Sequence, residues 1–137
     1  MENRFLSRGK RKDNGEWVEG YLIVDEKDYS KYFIGYVLGT NEDGAPHDLD
    51  VVQVDPSTIC RCTGLKDKNG KLIWENDIAN CMDAECCGYI SWNESEAGFY
   101  FDVLLEDGRF EEEHIYDYQD CMEVIGNTID NPELLEV

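Results

Sequence analysis

Four Asx-Gly dipeptides, Asn14-Gly15, Asp43-Gly44, Asn69-Gly70 and Asp107-Gly108, cut this chain into short pieces. Asn and Asp tolerate the left-handed backbone conformation and Gly takes it without steric cost, so each pair predicts a tight hairpin turn. β-Branched and aromatic residues dominate the runs around three of them, which read as strands. Residues 4–8 and 17–24 form a first hairpin, followed by a strand at 31–38 and a short one at 51–54. Strands at 63–66, 71–74, 77–82, 88–92, 98–105, 109–116 and 122–129 complete the pattern. Asp43-Gly44 lies inside 39–50, a polar, Gly- and Pro-bearing stretch that reads as a loop.

Residues 98–105 alternate cleanly. Phe99, Phe101, Val103 and Leu105 fall on one face, with Tyr100, Asp102 and Glu106 on the other. Asp55-Pro56 predicts one capped helical turn, and Asn131-Pro132 caps a short C-terminal helix. No apolar run at helical spacing reaches three turns. The fold class is therefore mostly β with minor α, a small barrel or sandwich. At 137 residues, with 42% apolar residues and sixteen aromatics, the chain is one packed domain or two packed lobes. Such a chain buries roughly two thirds of its surface and needs no staple.

No apolar run is long enough to cross a membrane. The opening Met1-Glu2-Asn3-Arg4-Phe5-Leu6-Ser7-Arg8 has no apolar leader core, so the expected location is the cytoplasm. There, the cysteines at 60, 62, 81, 86, 87 and 121 are expected to stay reduced. The net charge of −19 is lopsided: residues 1–71 hold 13 acids and 11 bases, whereas 72–137 hold 18 acids and only Arg109. Residues 1–12 are locally basic through Arg4, Arg8, Lys10, Arg11 and Lys12. Phosphate would be repelled by the second half, which argues against nucleic acid as a partner.

The chemistry-bearing residues form no complete constellation. Cys60-Arg61-Cys62 puts two thiols on one strand face. Cys81-x4-Cys86 reaches the edge of zinc-knuckle spacing, and Cys121 could approach Cys81, Cys86 and Cys87, but there is no second knuckle. Reduced cysteines acting as small hydrophobes account for the set. Glu111-Glu112-Glu113-His114 alternates faces along a strand, so these groups cannot converge on one ion and read as a solvated strand. His47 has no partner pattern. With Gly70 or Gly15 at the sixth position, a calcium loop would need acids where Leu65 or Lys10 stands. Nucleophile elbows, phosphate loops and zinc-protease motifs are absent. The reading is of no catalytic, cofactor-binding or metal residue, no cofactor and no enzyme. Tyr29, Tyr32, Tyr36, Tyr116 and Tyr118 neighbour polar residues and suit either an interface or ordinary strands.

Three stretches fall in a familiar order. The first is Phe5-Leu6-Ser7-Arg8-Gly9-Lys10-Arg11-Lys12-Asp13-Asn14-Gly15-Glu16-Trp17-Val18-Glu19-Gly20-Tyr21. The second is Val54-Asp55-Pro56-Ser57-Thr58, followed by Thr63-Gly64-Leu65-Lys66-Asp67-Lys68-Asn69-Gly70-Lys71-Leu72-Ile73-Trp74-Glu75-Asn76-Asp77-Ile78. The third is Glu123-Val124-Ile125-Gly126-Asn127-Thr128-Ile129-Asp130-Asn131-Pro132-Glu133-Leu134-Leu135. Together they resemble the YopX family of phage and prophage proteins over nearly the whole chain. The resemblance implies an SH3-like small β-barrel in the C-terminal half, packed with an N-terminal β-hairpin lobe. It also implies a phage or prophage origin, no established activity and a hint of self-association. On that basis 1–62 is an N-terminal β lobe, 63–130 the barrel lobe and 131–137 a short helix and tail.

Several positions depart from the family pattern. Asn76 stands where the family usually has Gly; as the next-best residue for a left-handed turn, it should keep the fold. Cys60-Arg61-Cys62 replaces a typical Gly-Gln-Tyr, Ala79 replaces a β-branched residue, and the cysteines at 81, 86 and 87 are not family features. The functional expectation is an accessory protein that binds a protein partner or further copies of itself. The alternatives are an acidic decoy for a nucleic-acid-binding protein, and weak nucleic-acid binding through 1–12.

Overall fold

All four Asx-Gly dipeptides make turns, but not by the route the sequence suggests. In the computed structural model, which describes residues 3–136 without the side chains of Pro46 and His47, only the glycine of each pair takes positive φ. Gly15, Gly44, Gly70 and Gly108 lie at φ 73°, 87°, 83° and 86°, while the Asn or Asp before each does not take positive φ. Three turns share one pattern, a right-handed turn closed by a left-handed glycine. Asp67 N–H donates to Lys71 O (2.8 Å) and Gly70 N–H to Asp67 O (3.0 Å); Asn41/Ala45 and Leu105/Arg109 repeat it. The Asx side chains fix the following residue instead: Asp43, Asp107 and Asn14 accept from Ala45, Arg109 and Glu16 N–H at 2.9–3.0 Å.

Eleven antiparallel strands and five short 3-10 turns follow, and no helical run exceeds four residues among the described residues, so the chain is mostly β. The chain divides into two compact units, Phe5–Arg61 and the remainder, Met1–Arg4 with Cys62–Val137. The first two residues of the basic stretch and the last of the tail lie outside the described residues.

The first unit is built on β1 (Ser7–Lys10), β2 (Trp17–Val24), β3 (Tyr32–Thr40) and β4 (Pro46–Val54), in the order β4-β3-β2-β1. The start of β5 (Cys60–Lys66) adds Cys60 and Arg61 beside β1. Within 39–50, only 41–45 are a turn; 39–40 and 46–50 belong to β3 and β4. Gly39 and Thr40 absorb two register shifts, which let Leu49, Asp50 and Val51 continue the ladder opposite Val37, Tyr36 and Gly35. Ile34, Val54 and Cys60 are fully buried. Gly20 is needed because a Cβ there would strike the Gly35 carbonyl and Ile34. The expected turn at Asp55-Pro56 is present: the Asp55 side chain accepts from Ser57 N–H at 3.0 Å over Pro56–Thr58.

The second unit carries a hairpin, β5 with β6 (Leu72–Trp74), and a five-stranded meander. The meander comprises β7 (Asp77–Cys81), β8 (Cys86–Asn93), β9 (Gly98–Leu104), β10 (Phe110–His114) and β11 (Met122–Asn127), in the order β10-β9-β8-β7-β11. Its edges β10 and β11 do not pair, so the sheet is not a closed barrel. Ile73, Ala79, Cys81, Ile90, Phe101, Ile115 and Met122 form its core, with Phe99 and Val103 packed against it as the alternation predicted. The strand expected at 109–116 stops at His114, where Ile115 turns into the core on a 3-10 turn. Asn76 takes the left-handed conformation at φ 71°, as its substitution for Gly requires. Asn131 does not cap the C-terminal turn; its Oδ1 reaches back to accept from Asn127 N–H at 3.2 Å.

The β5–β6 hairpin is tied to β11 through Asp67. Its 6% exposed carboxylate accepts from Asn69 and Lys71 N–H at 2.9 Å and from Val124 N–H at 3.0 Å. Burial alone would push this carboxyl up, but the donors of Val124, Lys71 and Asn69 outweigh it and hold it below the ordinary carboxylate range. A depressed folded-state pKa gives stability that is present above the unfolded value and is lost as pH falls through the folded one. Asp67→Ala should therefore cost about 2–3 kcal/mol at neutral pH, read by urea unfolding. The difference from wild type should shrink as the pH is lowered below about 4.

Candidate functional site

The cysteines separate into three groups. Cys60 and Cys62 are buried on one strand face, at 0% and 1% exposure, as their spacing predicts. Cys81 and Cys121 are joined in a disulfide, which corrects the expectation that all six are reduced. The pairing of Met122 opposite Cys81 sets Cys121 beside it, with the Cα atoms 5.1 Å apart. Cys86 stands opposite Cys81 on β8. Burial, and then Cys87 beside it, push the Cys86 thiol up; burial does the same for Cys87. Both thiols are thus held protonated and weakly nucleophilic at neutral pH. Among the described residues no three His, Cys, Asp or Glu side chains form a metal-binding group.

The basic residues of the first strand are engaged locally. The Arg8 guanidinium and the Lys10 ammonium lie 4.7 and 5.5 Å from the Trp17 ring centroid, and Arg11 pairs with Asp13 at 2.9–3.0 Å. The candidate tyrosines divide as well. Tyr29 and Tyr116 are each 72% exposed. Tyr36 donates its hydroxyl to Asp50 at 2.8 Å, and Tyr118 packs edge-on against Phe101. The side chain of His47 lies outside the described residues.

Two surfaces emerge from this placement. On the first unit, directly opposed residues share a sheet face: Tyr21 with Gly35, Ile23 with Phe33, Gly35 with Val51 and Val37 with Leu49. This gathers Tyr21, Ile23, Val37, Leu49 and Val51 on one face at 44–64% exposure, around a shallow cavity of about 190 Å³ floored by Gly35. The sequence signal existed, in alternation across 21–23, 33–37 and 49–51, but reading 39–50 as a loop hid the third row.

On the second unit, His114 ends β10 opposite Tyr100 of β9. Tyr100, His114 and Tyr116 form a file of rings with centroids 5.3 and 6.1 Å apart, the second pair nearly parallel at 10°. Beside it opens a cavity of about 390 Å³. Glu111, Glu112 and His114 are exposed and Glu113 half-buried. Glu112 accepts from Asn93 Nδ2 at 3.0 and 3.1 Å, and the backbone N–H of Glu96 donates to Asn93 Oδ1 at 3.0 Å.

The sequence matches the family described as YopX protein over residues 7–136. The chain belongs to the YopX family. No curated protein matches it. The blocks that carry the family likeness do structural work in this YopX chain. Asp67 of the middle block binds three backbone N–H groups, and Asp77 is 1% exposed and accepts from Trp74 N–H at 2.8 Å. In the closing block, the Asn127 carbonyl oxygen Oδ1 accepts from Ile129 and Asp130 N–H at 3.0 and 2.8 Å. No helix among the described residues is long and apolar enough to cross a membrane.

The disulfide gives a direct count. Alkylation of the denatured chain should yield four adducts without reductant and six after reduction, by intact mass. Reduction should also cost about 4 kcal/mol of stability in the chain-entropy account, for a bridge spanning 40 residues.

Proposed function

We propose that this YopX-family chain is a phage-type, non-enzymatic binding module that assembles with further copies of itself through the open face of β2, β3 and β4. The observation that carries the reading is the contiguous uncharged patch of Tyr21, Ile23, Val37, Leu49 and Val51 on a chain otherwise rich in charge. Soluble domains seldom leave such a face uncovered without a partner.

A second copy is the occupant that the charge pattern favours. Asp50, which also lines the cavity, is engaged by the Tyr36 hydroxyl, and the exposed side chains of the patch itself are apolar. Apolar against apolar is self-complementary, as a two-fold contact requires. The unit that bears the patch carries 11 acids and 7 bases, against 20 acids and 5 bases in the rest of the chain, so mutual repulsion is least through this unit. The non-enzymatic part of the reading draws on the uses found for the polar residues: Asp67, Asp77 and Asn127 serve backbone donors, and two cysteines are consumed in the bridge. The SH3-like character expected for 63–130 belongs to the same proposal, with the five-stranded sheet open at its edges rather than closed into a barrel.

Size-exclusion chromatography with light scattering should show an oligomer that persists, or strengthens, as salt rises and screens the net charge. Val37→Lys and Leu49→Lys, both at exposed positions, should shift it to monomer, with at least about a tenfold loss of association. A wild-type chain that stays monomeric at all salt and protein concentrations would sink the reading.

A further inference from the structure

The second unit carries a surface of different chemistry. The face of β8, β9 and β10 turned from the buried Ile90 and Phe101 presents Tyr100, His114, Asp102 and Glu112. At its end lies the cavity of about 390 Å³, a volume within the range of specific ligand sites. Its apolar lining includes Leu65 and Phe99. The ring file of Tyr100, His114 and Tyr116 forms an aromatic wall, and Glu96 stands on the rim.

Among the described residues no Lys or Arg lines the cavity. Arg109, the sole base in 72–137, directs its guanidinium to Asp107 at 2.6 Å. An anionic ligand would therefore meet aromatic rings and the Glu96 carboxylate, with His114 as the basic residue of the lining. A neutral apolar ligand would use the Leu65 and Phe99 lining but not the exposed Glu96 carboxylate. An aliphatic stem with a cationic head fits each part: the stem lies along Leu65 and Phe99, and the head lies over tyrosine rings beside a carboxylate.

The rim is pre-arranged for this. Asn93 binds the Glu96 backbone through one end of its amide and the Glu112 carboxylate through the other. Ala97, next to Glu96, is held at φ 51°, a conformation that a non-glycine residue adopts only when its surroundings impose it. Burial, then Glu96 and Glu112, push the Tyr100 hydroxyl up.

We infer that this cavity is a binding site for one cationic side chain, arginine or lysine, of a basic peptide segment. The site is independent of the sheet face proposed for self-association and lies on the other unit. A planar guanidinium is the better match to the ring file, because it can stack on an aromatic face while its edge donates to a carboxylate.

The test uses the full chain and small probes, followed by amide NMR. N-acetyl-arginine methylamide should move the resonances of Phe99, Tyr100, His114 and Tyr116 and saturate in the millimolar range. The citrulline analogue keeps the shape without the charge and should bind at least about fivefold more weakly. Tyr116→Ala and Glu96→Gln, at an exposed ring and on the rim, should each weaken arginine binding by a similar factor. Tyr29→Ala, an exposed ring on the first unit, should leave it unchanged. Equal binding of citrulline and arginine, shifts confined to other residues, or stronger shifts of the same amides by adenosine monophosphate would each overturn the assignment. Since the probes are monomeric amides, a chain that fails to self-associate would leave this test intact.

Discussion

Asp67 makes five hydrogen bonds, to Lys71, Gly70, Asn69 and Val124, and the second unit is organised around them. Its backbone closes the β5–β6 turn, one carboxylate oxygen braces that turn, and the other crosses to Val124 on β11. Lys68 N–H adds a bond to Met122 O at 3.0 Å. β11 in turn pairs with β7, and the Cys81–Cys121 bridge closes that side. A buried carboxylate is costly unless its lone pairs are filled. Here they are filled by N–H groups that the turn and the strand would otherwise leave unsatisfied. One desolvated charge thus links a hairpin to a strand more than fifty residues away in sequence.

This accounts for the shape of the family likeness. The middle block, Thr63 to Ile78, is the most specific stretch of the three, and its polar residues answer to backbone geometry. Gly64 at φ 81° makes the β5 register shift, Asp67 braces the turn, Asn76 takes φ 71°, and Asp77 satisfies Trp74 N–H. Gly126 in the closing block is equally bound to its place, since a Cβ there would lie 2.6 Å from Asn131 Oδ1. A family signature made of turn and bulge residues specifies a scaffold. It says little about what the scaffold touches, which is left to the exposed faces.

The strands were legible wherever β-formers flanked an Asx-Gly pair, because local propensity and turn chemistry agreed there. They failed at 39–50, where the ladder is carried by register and two shifts rather than by composition: Asp48 and Asp50 alternate with Leu49 and Val51 at the start of the strand. The turn type was also misread. Asx before Gly suggested two left-handed residues, whereas the Asx side chains hold the following N–H and leave the left-handed position to glycine alone. The disulfide could not be found from spacing, since 40 residues separate its halves and only the β7–β11 register brings them together. For the sites, Tyr116 was visible as an exposed aromatic and His114 as part of an acidic strand. Their alignment with Tyr100 needed the β9–β10 register.

The bridge between Cys81 and Cys121 also alters how the chain would respond to being drawn out by its ends. The 40 residues it encloses are removed from the extensible length. At 3.3–3.6 Å per fully extended residue, an oxidised chain stretched taut stops roughly 130–145 Å short of a reduced one. Any machine that threads the polypeptide in single file, an unfoldase or a narrow pore, meets a doubled strand at this point and must either admit it or stall.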